Sequence, residues 1–427
     1  MKIKSVQHNF IMKSMMTAAN VIVPLIIYPY VCRVLNPAGV GAVSFAQSII
    51  YYFQIFALLG VPTYGIRACA KVRDNKEELS RTVHEILFIN LLTGIISYTA
   101  LFIFMALVPQ IRNEKVLFLV ASLSIVCSLI SCEWLYSGLE QYDFMAIASL
   151  AFKVMMVIAT FLFIKNENDY VVYAGVYVLG TTGWGIVTFL NLRRVIFIRN
   201  LGNYDLKRHL KPIGIFFAMA IATTIYTQMD SVMIGFMKGT VENGYYDAAV
   251  KAKMAVVSCL SSLGAVLLPR SAYYLEKGRK KEFFSMSSKA LKMMILASVS
   301  ICVLLVLLAE PVILLLSGKQ FVNSIVPMKI IMPSIIFIGI TNITGIQMMI
   351  PLGREKQVLY SEIIGAAINL IVNALLIPKL GASGAAIGTV AAEIAVFTVQ
   401  IISIRDILPM LKNAKIYETE KPDGDNN

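Results

Sequence analysis

Long apolar segments separated by short polar stretches run along almost the whole chain. Each segment is about 20 to 27 residues long, and a helix needs about 20 apolar residues to cross a hydrocarbon core roughly 30 Å thick. The pattern therefore predicts about twelve transmembrane helices joined by short connections. The predicted spans cover residues 10–32, 42–66, 83–108, 116–137, 144–164, 170–192, 213–237, 247–269, 286–309, 325–351, 358–377 and 384–404.

The composition supports a membrane protein. Hydrophobic residues make up 58% of the 427 residues and charged residues 15%, with a mean hydropathy of +0.73. These values lie far from the averages of soluble domains. Twelve spans use up most of the length and leave no room for a sizeable soluble domain. We therefore expect an all-α integral membrane fold.

The net charge of +13 is explained by topology. The lysines and arginines fall in short loops between apolar segments, whereas a nucleic-acid-binding protein would gather them on one polar face. With the N-terminus inside, about 25 of the 38 basic residues lie in inward loops and about seven in outward loops. The positive-inside rule predicts that both termini are cytoplasmic, and we expect no nucleic-acid partner. The first apolar segment lacks a cleavage site and is expected to be retained.

An internal repeat at an offset near 215 residues divides the chain. Gly138-Leu-Glu140 precedes span five as Gly353-Arg-Glu355 precedes span eleven. Six spans per half is an even number, so the two halves are expected to be related by an axis along the membrane normal. The repeat predicts an N-terminal lobe at 1–211, a C-terminal lobe at 212–405 and a central cavity. Residues 406–427 are expected to form a disordered cytoplasmic tail.

No pattern of residues indicates an enzyme. The three histidines, His8, His84 and His209, lie in polar segments, and no hydrolase, nucleotide-binding or zinc-protease motif is present. The cysteines lack metal-binding spacing. We therefore expect no catalysis, cofactor, metal or disulfide framework. The six cysteines are Cys32, Cys69, Cys127, Cys132, Cys259 and Cys302.

Lys153 is the most informative charge in the apolar spans. Burying a charge at the bilayer centre costs about 2.5 to 3.5 kcal/mol. Lys153 lies too deep in span five for its stem to reach the interface. It is either one half of a structural ion pair or a cation in a cavity that meets an anionic headgroup. Glu133 lies closer to a span end, where snorkelling explains its charge.

Further charges lie in spans seven, eight and twelve. Asp230 and Lys253 are at matching depths on antiparallel neighbours and can pair, while Asp247 lies one turn before Lys251. These pairs either neutralise charge or leave Asp230 to alternate between a lysine and a coupling cation. Glu393 lies near the middle of span twelve, where it is expected to bind a proton or to form a hydrogen bond between helices.

Four prolines fall inside predicted spans. Each removes a helical hydrogen bond and is expected to kink its helix. Bent helices would suit a gate, although proline is common in membrane helices generally. The four are Pro24, Pro29, Pro327 and Pro333.

Several stretches resemble the polysaccharide-unit flippases, a branch of the multidrug, oligosaccharidyl-lipid and polysaccharide exporter superfamily. The resemblance covers residues 5 to 405, and it is the combination of motifs that is specific. The stretches are Arg33-Val-Leu-Asn-Pro-Ala-Gly-Val-Gly41, Phe56-Ala-Leu-Leu-Gly-Val-Pro62, Tyr64-Gly-Ile-Arg67, Glu133-Trp-Leu-Tyr-Ser-Gly-Leu-Glu140, Gly244-Tyr-Tyr-Asp-Ala-Ala249, Gly353-Arg-Glu-Lys356 and Gly381-Ala-Ser-Gly-Ala-Ala386.

The resemblance implies a V-shaped protein of two six-helix lobes in the cell membrane of a bacterium. It implies that undecaprenyl-pyrophosphate-linked oligosaccharide repeat units are carried from the inner to the outer leaflet, driven by a gradient of H+ or Na+. The expected partners are membrane lipids, a polysaccharide polymerase and a chain-length regulator. The residues to which it assigns functional interest are Arg33, Tyr64, Gly65, Arg67, Asp230, Lys251 and Lys253.

Two alternative functions remain open. A multidrug antiporter of the same superfamily would share the fold, but it should carry acidic cavity residues for cationic drugs. A membrane-embedded polymerase or glycosyltransferase should carry a large outward catalytic loop, whereas the longest outward loop, 310–324, is short. The first span also lacks the central arginine of lipid II flippases, which argues against a peptidoglycan precursor as cargo.

Overall fold

The computed structural model describes residues 5–265 and 267–413, and these residues form helices with no β-strand among them. Besides α-helices, they form two short 3-10 helices, Glu167–Asp169 and Lys319–Ser324, and one π-helix, Asn342–Met349. The α-helices are α1 Val6–Leu58, α2 Val61–Val72, α3 Lys76–Leu107, α4 Pro109–Asn113, α5 Lys115–Ile130, α6 Glu133–Gly138, α7 Tyr142–Phe163, α8 Tyr170–Thr182, α9 Trp184–Leu190, α10 Leu192–Val195, α11 Lys207–Lys238, α12 Thr240–Ala265, α13 Leu268–Glu276, α14 Lys280–Leu307, α15 Ala309–Leu316, α16 Ile325–Ile331, α17 Ser334–Thr341, α18 Glu355–Leu380, α19 Ala382–Ser403 and α20 Leu408–Asn413.

The helices confirm a multi-pass α-helical membrane protein. Within the described residues, seven stretches are long and apolar enough to cross a membrane, or nine if each of two bent helix pairs is one span. Helix α1 covers the first predicted span and most of the second, which continues into α2. Helices α11 and α12 have the length of a span but are more polar. Counting these, the helices are consistent with the twelve predicted segments.

Helix α1 is interrupted at Asn36, whose φ of 60° and ψ of 172° are not helical. The helix continues through Pro24 and Pro29 without a break, and the kinks expected at these prolines stay a prediction. Proline fixes φ near the helical value and removes only one hydrogen bond, which the neighbouring turns tolerate. The interruption therefore falls between the first two predicted spans.

The first half of α1 runs along α7, and the second half packs against α5 and α3. At one end of α7, the Tyr30 hydroxyl donates to the carbonyl of Ile164 at 2.6 Å. At the same end, the Asn36 amide donates to the carboxylate of Glu167 at 2.9 Å. These bonds fix the first half of α1 beside the helix that carries Lys153.

The two bent spans have identifiable breaks. Residues Glu167–Thr182 and Trp184–Val195 meet at 45°, and Lys319–Ile331 and Ser334–Met349 meet at 47°. Pro333 is the N-cap of α17 at the second break, which confirms the bend expected there. Proline is well tolerated in the first turn of a helix, which is where Pro327 lies in α16.

The chain forms two compact units, which divide between Gly244 and Tyr245. Helix α11 packs against α1 and α2 within the first unit. The lobe boundary at residue 211, which rests on the sequence repeat, stays a prediction. Of the predicted disordered tail, residues 408–413 form the short helix α20, and residues 414–427 lie outside the described residues.

Candidate functional site

Two of the motifs singled out in the sequence meet inside the first unit, where α2 packs against α6. Helix α2 starts after a turn in which Leu59 and Gly60 have φ of 44° and 75°. Gly65 then faces Trp134, and a Cβ at this glycine would lie 2.6 Å from the indole Cε3. From the other side, a Cβ at Gly138 would lie 2.9 Å from the carbonyl oxygen of Ile66. Only glycine allows this approach of the two helices.

Beside this junction lies a cavity of about 390 Å³, which we call the tryptophan cavity. Both tryptophans of the chain line it. The Gln54 side-chain amide donates to the Ser128 hydroxyl at 2.7 Å across it. The cavity combines aromatic, amide and hydroxyl groups with one carboxylate. Its lining residues are Gln54, Leu58, Pro62, Thr63, Ile66, Ser128, Ser131, Glu133, Trp134, Thr181, Thr182 and Trp184.

Several polar groups of the tryptophan cavity have no hydrogen-bond partner in the described part of the chain. The indole N–H of Trp134 is buried without a hydrogen-bond acceptor. The Glu133 carboxylate lines the cavity and forms no hydrogen bond with a described residue, although Lys13 of α1 is near enough to attract it electrostatically. Buried polar groups are nearly always paired, so an unpaired one invites a ligand or water. Snorkelling had been expected to explain Glu133, but the structure places it on a cavity wall.

Sequence reasoning missed most of the tryptophan cavity. Gln54, Trp184 and Thr182 belong to three different predicted spans, and nothing in their local pattern distinguishes them from ordinary span residues. One signal for this cavity was present in the sequence: the chain has only two tryptophans, and Trp134 lies inside the motif at 133–140.

A buried charge network lies next to Tyr64-Gly-Ile-Arg67, which we call the α2 motif. Glu85 is 1% exposed and accepts hydrogen bonds from the Asp205 backbone N–H at 2.7 Å and from the guanidinium of Arg208 at 2.6 Å. The His209 Nε2 lies 2.6 Å from the same carboxylate, and its Nδ1 lies 2.6 Å from the Tyr64 hydroxyl. A neutral His209 that donates to Glu85 accepts from Tyr64. This network ties α2 and α3 to the start of α11.

The two predicted arginines are not brought together. Arg67 is exposed on α2, with its guanidinium carbon 5.8 Å from the ring centroid of Phe216. Arg33 is exposed near the break in α1 and donates to the carbonyl of Pro29 at 2.6 Å. Arg33 lies near the C-terminal end of α7. The α2 motif lies near the other end, because Arg73, the C-cap of α2, pairs with Glu140, which precedes α7. A helix of 22 residues separates the ends by about 33 Å.

Lys153 is buried in the middle of α7. It is 4% exposed and shares the buried face of the helix with Ser149 and Met156. None of the described residues forms a hydrogen bond or an ion pair with it. Eleven residues precede it in α7 and ten follow, which places it about 15 Å from either end. The structural ion pair considered from the sequence therefore has no partner in the described chain.

The remaining predicted charges are buried or half-buried. Asp230 is 7% exposed on α11, and Asp247 is 8% exposed on α12. Lys251 and Lys253 are half-buried on α12. The pairing of Asp230 with Lys253, like that of Asp247 with Lys251, stays a prediction.

Glu393 lies in a buried polar seam of the second unit, formed by α18 and α19. It is 6% exposed and shares a face of α19 with Thr389. On α18, the Asn373 amide donates to the Asn369 side-chain oxygen at 3.1 Å. Further along α19, the Thr344 hydroxyl donates to the Gln400 side-chain oxygen at 2.6 Å. These two helices therefore place several buried polar side chains, Glu393 among them, inside an apolar bundle.

Comparison with known proteins covers almost the whole chain. A sequence model of the family described as "Polysaccharide biosynthesis protein" matches residues 6–275. A protein of Escherichia coli K12 named "Putative O-antigen transporter" is 23% identical over 406 residues, covering 94% of this chain and 97% of that protein. A protein of the same name from Shigella dysenteriae is 25% identical over 407 residues, covering 93% and 99%.

Solved structures share the fold. The lipid II flippase MurJ in an inward closed conformation superimposes with a TM-score of 0.72 at 16% identity, covering 97% of this chain and 93% of that one. An inward-facing multidrug resistance MATE family transporter of the MOP superfamily superimposes with a TM-score of 0.67 at 13% identity, covering 93% and 96%. At these identities the likeness establishes a common fold and nothing finer.

Proposed function

We propose, because the chain belongs to the polysaccharide biosynthesis protein family, that it is a flippase for lipid-linked oligosaccharides. The observation that carries this function is the family match over residues 6–275, together with near full-length similarity to two proteins named as O-antigen transporters. The cargo is an undecaprenyl-pyrophosphate-linked repeat unit. It moves from the inner to the outer leaflet of a bacterial plasma membrane, with both termini of the protein in the cytoplasm.

The chemistry of this cargo requires a cation inside the protein. A diphosphate is strongly hydrated in water, and a positive charge in a region of low dielectric constant compensates for the loss of that hydration. Lys153 is buried in mid-helix with no ion pair to a described residue, so its charge is available to a ligand. We assign Lys153 to the diphosphate, and Lys251 and Lys253 to the same task in the second unit.

Direction requires an ion that binds the inward and outward states unequally. Asp230 and Glu393 are buried carboxylates in a protein without a nucleotide-binding motif. A buried carboxylate such as Glu393 can bind H+ or Na+ in one state and release it in the other. We therefore propose that an ion gradient, and not ATP, drives the transport.

The proposal can be tested with purified protein in proteoliposomes that contain a radiolabelled undecaprenyl-pyrophosphate-linked oligosaccharide. A membrane-impermeant glycosidase outside the vesicles then reports how much glycan reaches the outer leaflet. We expect transfer that depends on the protein and accelerates with an imposed H+ or Na+ gradient. The variant Lys153→Ala should lose it, whereas Lys165→Ala, at the exposed outer end of α7, should keep it.

A matching experiment in cells deletes the gene and locates the lipid-linked repeat units. We expect them to accumulate on the inner leaflet while surface polymer disappears. If the reconstituted protein instead moves cationic dyes and leaves the lipid-linked glycan in place, the chain is a multidrug exporter. If the Lys153→Ala variant transfers the glycan normally, the assignment of Lys153 to the diphosphate is wrong.

A further inference from the structure

We propose that the tryptophan cavity binds one uncharged pyranose residue of the carried oligosaccharide and so selects the glycan. This inference rests on the proposed function. It adds a part of the substrate that neither the diphosphate nor the ion sites explain. The cavity lies wholly within the first unit, between α1, α2, α5, α6, α8 and α9.

The cavity wall matches the two faces of a sugar ring. A pyranose has an apolar C–H face that packs on aromatic rings and an edge of hydroxyl groups that needs hydrogen bonds. Trp134 and Trp184 are the only tryptophans in the chain, and both line this cavity. They are 4% and 7% exposed, so they form the wall and do not project from it. Aromatic walls with a few placed polar groups are typical of small-molecule sites.

Hydrogen-bonding capacity is left unused at the cavity. Among the described residues, none forms a hydrogen bond with the Glu133 carboxylate or with the side-chain hydroxyls of Thr63 and Ser131. The indole N–H of Trp134 also has no acceptor, but this atom is buried and does not open onto the cavity. An ionised carboxylate is the strongest acceptor for a sugar hydroxyl. The neighbouring Thr181 hydroxyl, in contrast, is already bonded to its own helix at 2.7 Å.

Charge and hydrogen bonding disfavour the other parts of the cargo. The lining residues include no lysine or arginine, and the only charged group among them is the Glu133 carboxylate, which attracts Lys13 of α1 from outside the lining; a lining with no cation of its own disfavours a diphosphate. A polyprenyl chain would bury the amide and hydroxyl groups without hydrogen bonds, at a cost of about 1 to 3 kcal/mol for each group. The volume of about 390 Å³ lies near the lower end of small-molecule sites, roughly 300 to 1,000 Å³. One sugar ring is the part of the cargo that fits.

The wall is held in place before any ligand arrives. Gly65 and Gly138 fix α2 against α6, and the Gln54–Ser128 hydrogen bond fixes α1 against α5. A preorganised wall lowers the entropy cost of binding, which favours discrimination between sugars that differ at one hydroxyl.

The two tryptophans make the test direct, because all tryptophan emission comes from the cavity wall. The full chain, reconstituted in lipid vesicles that contain no other protein, is titrated with a panel of methyl glycosides: glucoside, galactoside, mannoside and their N-acetylamino forms. We expect a saturable change in emission with at least one of them. Loss of a hydrogen bond to a charged group should weaken that binding about 10- to 100-fold in Glu133→Gln. A second variant, Thr63→Val, should weaken it less, and the surface variant Glu77→Gln should bind normally.

The outcomes separate this inference from the proposed function. If no glycoside changes the emission while the same preparation still translocates lipid-linked glycan, the sugar site is wrong and the flippase stands. If Na+ or pH changes the emission through Glu133 and sugars do not, the cavity is a cation site and the inference is also wrong. If glycan translocation is absent as well, the proposed function fails.

Discussion

Lys153→Met separates a functional lysine from a structural one. Methionine has a similar volume and length, so packing on the buried face of α7 should be preserved. The lysine forms no hydrogen bond or ion pair with a described residue, so the folded protein should be no less stable after the change. As an isolated segment, α7 should insert into the bilayer more favourably by about 2.5 to 3.5 kcal/mol. Translocation of lipid-linked glycan, in contrast, should fall about 10- to 100-fold, because a charge-assisted contact with phosphate is lost.

Three measurements on one set of variants test this reasoning. Thermal unfolding in nanodiscs measures the stability of the folded protein. A membrane-insertion assay measures the insertion free energy of the α7 segment, and proteoliposomes measure the rate of glycan translocation. Lys165→Met is the matched control, because Lys165 follows the same helix but is exposed. It should leave all three measurements unchanged. Lys153→Arg, which keeps the charge, should retain part of the translocation.

Two results would refute the argument. A loss of unfolding free energy of about 3 to 5 kcal/mol in Lys153→Met would indicate the broken half of a buried ion pair. Glycan transfer at the normal rate in the same variant would show that the cation has no part in transport.

Three other substitutions have expected outcomes. Gly65→Ala places a Cβ 2.6 Å from the facing indole and should lower the unfolding free energy by about 1 to 3 kcal/mol, while Gly214→Ala, which meets nothing within 4 Å, should not. Glu85→Gln should lower the melting temperature, since the hydrogen bonds of the carboxylate to Arg208 and His209 are weakened, at a cost of about 1 to 3 kcal/mol. An unchanged melting curve would contradict the network. The Arg354 guanidinium lowers the pKa of Asp406 from 3.8 to about 2, so this ion pair stabilises the end of α19 above pH 4 and is lost as the pH falls through 2. Hydrogen exchange near α20 should show that loss in the wild type, and Asp406→Asn should abolish its pH dependence.

The sequence predicted the spans well, because a bilayer forces each crossing helix to be long and apolar whatever it packs against. Lys153 could be singled out for the same reason, since a mid-span charge is costly in any arrangement. The break in α1 falls at the predicted connection between the first two spans, and Pro37 disfavours a helical conformation at Asn36 directly before it; the positive φ of Asn36 itself was not predicted.

Contacts between residues that are distant in the chain could not be predicted from the sequence. The motif containing Gly65 and the one containing Trp134 were both noticed, but their direct contact depends on how α2 packs on α6. His209 was placed in a polar segment, yet it is 2% exposed, because Glu85 lies far away in the chain and close in space. Neither the hydrophobic periodicity of a span nor a motif within it indicates which distant residues it contacts.

The Glu85 network also has a consequence for how the protein is made. Its carboxylate lies 120 residues ahead of the Asp205 backbone N–H that completes it. At about 5 to 20 residues per second, a ribosome needs roughly 6 to 24 s to supply those partners. During that interval α3 must keep a charged side chain near water. A nascent chain stalled before residue 205 would expose this group to the quality-control proteases, whereas one released after residue 211 would already be able to shield it.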